Sequence, residues 1–218
     1  MSEEIIFYRR HLPHYQPPGA ILFVTFRLYR SLPVSVMRRL IQEAEMLEKA
    51  ITNSDPKERA HLLLEAQKKM FAQWDLALAQ QKTGPAWLAR REVAQVVADA
   101  LHYLDGKKYE LIAYCIIVNH VHVMFKPSIK TLTSEDMQYY TLREIMQSLK
   151  GFTAWKANRL LNRTGPFWQR ESYDHVVRDE HELRNVIRYV IMNPVKAGLV
   201  DSPELWEWSY FKGGIEAV

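Results

Sequence analysis

Two histidines, His120 and His122, stand one residue apart in an apolar stretch. In an extended chain residues i and i+2 project from one face. The imidazoles of His120-Val121-His122 then stand side by side, as chelation of a divalent transition metal requires. Val121 and Val123 point the other way, toward an apolar core. The plain alternative is two histidines on a solvated strand face. A second group lies far along the chain. Leu183, Val186, Ile187, Val190 and Ile191 follow the i, i+3, i+4, i+7, i+8 spacing of a buried helical stripe. At about 100° per residue, Tyr189 and Asn193 fall on its flank, one turn apart. There a phenol can reach a cleft, and an amide oxygen can serve a hard cation such as Mg²⁺ or Mn²⁺ as third ligand. Otherwise Tyr189 is a border core residue and Asn193 a helix cap before Pro194.

These groups must be positioned by surrounding elements. Residues 1–19 read as an arm broken by Pro13, Pro17 and Pro18. Residues 20–29 (AILFVTFRLY) are β-branched and aromatic, hence a strand. Residues 34–51 and 56–81 are rich in good helix formers, and Asp55-Pro56 suits a helix start between them. A third helix spans 86–104, and Asp105-Gly106 marks a turn. Residues 109–118 and 120–126 read as a β-hairpin, followed by a helix over 143–161 and a loop over 162–166. Residues 172–178 form a short strand. Asp179 caps the next helix with Glu182 three residues on, as in a capping box. That helix is expected to stop near Asn193, because a residue before proline disfavours helical geometry. The tail, with Trp206 and Trp208, reads as loop. This order predicts an α+β sandwich with a central antiparallel sheet, carrying a helical insertion at about 34–104.

Length and composition bound the function. The 218 residues suit one domain, or one domain with a large insertion, and are enough to bury a core. With 48% hydrophobic and 25% charged residues the chain is neither disordered nor fibrous. No apolar run approaches the roughly 18–20 residues of a membrane span, and no signal-peptide core is visible near the start. The single cysteine, Cys115, excludes an internal disulfide framework and a Cys-rich zinc site. A cytoplasmic protein is therefore expected. The net charge of +4 is concentrated: residues 147–178 hold six basic residues against two acidic ones, a surplus equal to that of the whole chain. Phe152, Trp155, Phe167, Trp168 and Tyr173 interleave it. Cations beside aromatic faces suit a phosphate backbone and stacked bases; a solvated helix face over core aromatics is the alternative.

Read in order, Asn119-His120-Val121-His122-Val123-Met124, Gly165-Pro166-Phe167-Trp168-Gln169, Tyr173-Asp174-His175 and the run from Tyr189 to Leu199 (YVIMNPVKAGL) carry a pattern. It resembles the REP-associated tyrosine transposases of the single-tyrosine HUH superfamily, and Trp206-Glu207-Trp208-Ser209-Tyr210 resembles their closing W-x-W-S-x-Y signature. The resemblance covers residues 20–30 and 109–211. It implies a ferredoxin-like or RRM-like fold and metal-dependent nicking and joining of single-stranded DNA at hairpin-forming repetitive palindromes. By residue it implies that His120 and His122 hold the metal, Mg or Mn, and that Tyr189 is the nucleophile forming a 5′-phosphotyrosine. Asn193 takes a third-ligand position that is Gln in some relatives. Lys150, Lys156, Arg159, Arg163, Trp168, Gln169, Arg170 and Arg178 would contact DNA.

Two other readings stay open: a catalytically silent protein that holds structured single strands, and a metal hydrolase of another class. The latter lacks an H-E-x-x-H motif. Tyr139 and Tyr140 lie in a polar loop or helix start and are minor candidates for the nucleophile. Tyr173 suits a structural or base-stacking role, His175 a core or hydrogen-bonding one, and Trp168 the anchoring of a loop as well as DNA contact. Cys115, in an apolar strand, reads as inert. Residues 34–104 could be a DNA-contact surface, a dimerising hairpin or inert elaboration. Monomer and homodimer are both compatible with the sequence.

Overall fold

A computed structural model of the chain describes residues 17–80, 83–133 and 137–215. Most of the proline-broken arm expected over 1–19 lies outside them. The strands and helices are β1 (Leu22–Arg27), α1 (Val34–Thr52), α2 (Pro56–Ala79), α3 (Arg91–Leu104), β2 (Tyr109–Ile116), β3 (His120–Pro127), β4 (Ile129–Leu132), β5 (Met137–Tyr139), α4 (Leu142–Leu160), β6 (Tyr173–Val176), α5 (Glu180–Lys196) and β7 (Ser209–Phe211).

The chain divides into two compact units, one containing residues 32–84 and the other residues 16–31 with 85–218. The first is the helical pair α1 and α2. Asp55 caps α2 by accepting from the Lys57 N–H at 2.8 Å. Leu32, Leu40, Met70 and Leu78 form its small core, with Leu47 and Trp74 packed around them.

The second unit is built on a five-stranded antiparallel sheet of order β6-β1-β3-β2-β7. Taken as β1-α3-β2-β3-α4-β6, it is the split βαββαβ arrangement, with β7 added beside β2. The alternation read in the sequence sets the faces. Val24, Phe26, Val121, Val123 and Phe125 join Leu111 in one core with Val97 and Leu101 of α3 and Ile145 and Leu149 of α4. A bulge between Leu111 and Ala113 switches the phase of β2, so Tyr114 and Ile116 also join that core. The helix α5 lies against β2, β3 and β7, over the other face.

Four expectations need correction. Of the proposed insertion at 34–104, only the part up to Gly84 separates from the sheet unit. The helix α3 is the first crossover helix itself, because Val93, Val97 and Leu101 give it an apolar stripe that the sheet buries. The tail is not all loop: β7 pairs with β2 from Ala113 to Cys115, and the Trp206 indole N–H donates to the Ile116 carbonyl at 3.0 Å. Ile129–Leu132 and Met137–Tyr139 pair as the small antiparallel ribbon β4–β5, which turn signals alone do not reveal.

Lastly, α5 does not stop at Asn193 but runs through Pro194 to Lys196. The proline falls in the last turn, where its missing N–H leaves one carbonyl to satisfy. The stop comes at Gly198, whose φ of +67° is the left-handed conformation that glycine adopts without strain. Leu199 N–H donates to the Pro194 carbonyl and Gly198 N–H to the Val195 carbonyl, both at 2.9 Å, the paired bonds of a Schellman motif.

The start of α5 couples it to the sheet. Asp179 Oδ1 accepts from the Glu182 N–H at 2.8 Å, as the capping pattern predicts. The Glu182 carboxylate turns to β6, accepting from the Arg178 N–H at 2.8 Å and meeting His175 Nε2 at 2.8 Å. Burial raises the pKa of this carboxyl, but the Arg178 and His175 contacts outweigh it and hold the group below its ordinary value. A carboxyl depressed on folding adds stability above its unfolded pKa of 4.5 and loses it as pH falls through the lower folded value. Glu182→Gln is therefore expected to flatten the acid limb of stability. At pH 7 the loss is about 1 kcal/mol after solvent screening, or roughly 2–4 °C in Tm. Thermal melts between pH 2.5 and 7 measure both; identical acid limbs would remove Glu182 as the linkage.

Candidate active site

Residues directly opposite on antiparallel strands share a face. Tyr173, Thr25, His122, Cys115 and Ser209 therefore form one row across all five strands, on the face that meets α5. Arg27 lies opposite His120 in the next row on that side. The imidazole pair is held from behind. His120 Nδ1 meets Asn119 Oδ1 at 2.6 Å, and His122 Nδ1 meets Thr25 Oγ1 at 2.7 Å. The Asn119 oxygen is an acceptor, so His120 carries its proton on Nδ1 and presents a lone pair at Nε2. Thr25 Oγ1 can accept from His122 Nδ1–H in the same way, the tautomer that leaves His122 Nε2 a lone pair for a metal.

The two Nε2 atoms then face each other at 3.0 Å. Two lone pairs at that distance repel unless a proton or cation is shared between them. A metal with metal–nitrogen bonds of about 2.1 Å and cis ligands at 90–110° separates two nitrogens by about 3.0–3.4 Å. The donor set thus fits a divalent metal. The outward-turned Nδ1 atoms, each on a side-chain oxygen, are the usual support for imidazole ligands.

The helix α5 brings its flank to the same place. Asn193 Nδ2 lies 3.2 Å from His122 Nε2 and 3.4 Å from the Tyr189 hydroxyl. Exchange of the Asn193 amide oxygen and nitrogen, which are nearly isosteric, puts the oxygen 3.2 Å from the same nitrogen, a spacing that two ligands of one metal can have. The Tyr189 and His122 rings meet edge to face with centroids 5.4 Å apart. Phe23 stacks on His122 at 5.7 Å and meets Tyr189 and Tyr173 edge-on at 6.0 and 6.3 Å. Tyr189 is partly exposed. His120, His122, Tyr189 and Asn193 are thus brought together.

The expected DNA-contact residues divide. Trp168 is a core residue, its indole N–H donating to Thr153 Oγ1 at 2.8 Å and its ring edge-on to Phe26. It offers no open face to a base, which corrects its DNA-contact assignment in favour of the anchoring role. Lys150 Nζ donates to the carbonyls of Gln169, Arg170 and Glu171 at 3.0–3.3 Å and braces the approach to β6. Arg163 donates to Asn158 and to the Pro166 carbonyl, and stacks 3.9 Å over Trp87. These two cations are engaged in holding the loop, through short polar contacts the sequence does not display. Gln169 extends the edge of β1, its N–H bonded to the Arg27 carbonyl at 2.8 Å. Lys156, Arg159, Arg170 and Arg178 are exposed. On α4, Arg159 lies 5.2 Å over the ring of exposed Trp155, beside exposed Phe152.

Three residues that sequence reasoning passed over belong to the cluster. Thr25 and Phe23 alternate with core positions on β1, and that alternation was the available signal. Arg27 is buried on the same face, its guanidinium bonded to Ser31 Oγ at 3.2 Å. Burial lowers its pKa to about 10, against the opposing pull of Glu171.

A split βαββαβ sheet with two imidazoles on its central strand and a tyrosine on the helix across that face is the architecture the sequence resemblance implied. The comparisons agree with that resemblance. The chain is 29% identical over 110 residues to a Haemophilus influenzae protein named REP-associated tyrosine transposase; the match covers 50% of this chain and 62% of that relative, so a good third of the relative lies outside it. In fold the chain is similar to a solved REP-associated tyrosine transposase bound to a REP hairpin, with a TM-score of 0.54 and 16% identity, covering 99% of this chain and 86% of the other. No family model matches the chain. No helix among the described residues is long and apolar enough to cross a membrane.

Proposed function

We propose that this chain nicks and joins single-stranded DNA at hairpin-forming repeats through a covalent bond to Tyr189. The observation that supports it most is the contact chain from the Tyr189 hydroxyl through Asn193 to His122 and His120 on one sheet face. A hydroxyl on the opposite face would have ended this reading. A REP-type hairpin as substrate class is supported by the similar structure, which is bound to a REP hairpin.

His120, His122 and Asn193 would hold a divalent metal, Mg or Mn; when bound, it supplies a Lewis acid that withdraws charge from a non-bridging phosphate oxygen. The protein's own work is orientation. Phe23 and His122 wedge the Tyr189 ring edge-on, so its oxygen is aimed rather than free to swing. That oxygen attacks phosphorus and forms a new P–O bond as the bond to the 3′ oxygen breaks. The phenol's proton passes to water, and the departing 3′ oxygen takes one up to become a hydroxyl. One phosphodiester replaces another, so joining runs by the reverse attack without ATP. Lys156, Arg159, Arg170 and Arg178, with Gln169, remain to contact DNA, while Trp155 and Phe152 offer stacking faces.

The test is incubation of the full chain and Mn²⁺ or Mg²⁺ with labelled single-stranded hairpin oligonucleotides, followed by denaturing electrophoresis. A shifted, protease-sensitive band is expected. Binding to several hairpins with no such band would favour the silent binding protein. Thr25 offers a subtler measurement. Thr25→Val keeps the shape but removes the oxygen behind His122, and is expected to weaken Mn²⁺ binding about 10–100-fold in calorimetry. Unaltered affinity would mean that Thr25 does not orient the ring.

A further inference from the structure

We propose that Lys196 is a phosphate-binding residue of this site, its ammonium holding the phosphodiester that Tyr189 attacks; the assignment rests on the covalent reading above. The continuation of α5 past Pro194 creates the position. Tyr189, Asn193 and Lys196 recur at i, i+4 and i+7, so a nucleophile, a metal-side amide and a cation line one side of the helix. A helix ending at Asn193 would have left Lys196 in a loop. The ammonium lies over the Tyr189 ring, 4.8 Å from its centroid. A phenolic oxygen stands about 3 Å from its ring centre, so a charge above that face sits roughly 5–6 Å from the attacking atom, room for one phosphate oxygen between them. Lys196 is exposed, so a strand approaching the partly exposed Tyr189 can reach it.

Electrostatics supplies the reason for a cation here. Tyr189 and Asn193 belong to the last two turns of α5, near the negative end of the helix dipole. A phosphodiester gathers negative charge during attack, and that helix end opposes it. An ammonium in the same turn reverses the sign of the local field and can donate to a phosphate oxygen, a stronger partner than the face of a tyrosine ring.

The test separates this assignment from the covalent reading. In a Tyr189→Phe background, binding of a fluorescein-labelled single-stranded REP-type hairpin is measured by anisotropy with Mn²⁺ at 50–300 mM salt. Adding Lys196→Gln is expected to weaken binding 3–10-fold and lower the slope of log Kd against log salt by about 0.7, one phosphate contact on a single strand. Lys196→Arg is expected to keep the slope, and matching thermal melts of the two variants exclude misfolding. With Tyr189 intact, Lys196→Gln is expected to slow single-turnover adduct formation at least 30-fold. An unchanged affinity and salt slope in Lys196→Gln overturns the assignment. If the native chain forms no adduct but the slope still drops, the covalent reading fails and the phosphate contact stands. If no hairpin binds at all, both fall.

Discussion

Tyr189→Phe is expected to abolish the denaturation-resistant DNA adduct while leaving hairpin affinity within about twofold of the native chain. The substitution deletes one oxygen. The remaining ring keeps its edge-on contacts with His122, 5.4 Å away, and with Phe23, 6.0 Å away, so the packing around it survives. What disappears is the proposed nucleophile, and with it every covalent product is expected to go. The loss in cleavage rate is expected to exceed about a thousandfold, as when the nucleophile of a covalent mechanism is removed. Gel quantification and anisotropy on one oligonucleotide read the two quantities independently. Cleavage that persists in Tyr189→Phe would assign the attack to water and return the site to the hydrolase alternative. Tyr139 is a poor substitute nucleophile, because it belongs to the β4–β5 hairpin, outside the five-stranded sheet that carries the two imidazoles.

The second large effect concerns His122→Ala. This imidazole contacts Thr25, His120 and Asn193 at 2.7, 3.0 and 3.2 Å and stacks on Phe23. Its removal takes away one of the two facing nitrogens and leaves Asn193 without its partner in the donor set. Mn²⁺ affinity measured by calorimetry is expected to fall by about 100-fold or more. Thermal stabilisation by metal gives an independent readout. A ligand at 100 times its Kd stabilises the folded state by about 2.7 kcal/mol, or roughly 5–10 °C in a chain of this size. That increment is expected in the native chain and not in His122→Ala. Equal Mn²⁺ stabilisation of both would show that any metal sits elsewhere. Because a buried imidazole is also lost, the baseline Tm of the variant is expected to fall, and only the metal-dependent increment is diagnostic.

Much of this architecture was legible before folding. Period-two alternation in residues 20–29 and 109–126 established which side chains of β1 and β3 enter the core, since a strand offers only two faces. The stripe from Leu183 to Ile191 announced an amphipathic helix with Tyr189 and Asn193 on its flank. Placing that helix over the imidazoles required the sheet order, which local pattern does not encode. Local pattern misplaces the end of α5, because a proline penalty is local whereas the stop depends on a left-handed glycine four residues later. Gly198 was the cue for it.

The DNA-contact set shows the limit most clearly. Lys150, Arg163 and Trp168 share composition with Lys156, Arg159 and Trp155, and their sequence neighbourhoods are alike. The first three are drawn into bonds with backbone carbonyls, Asn158 and Thr153, while the others stay open to solvent. By itself, then, the sequence determined which chemistry is available, because residue type and one-dimensional spacing decide what a strand or helix can present. Tertiary structure alone decided which of these groups meet, which cations are consumed as braces, that Phe23 packs against the Tyr189 ring and that Thr25 backs His122. Those are contacts between segments up to about a hundred and seventy residues apart, and only packing brings such segments within bonding distance.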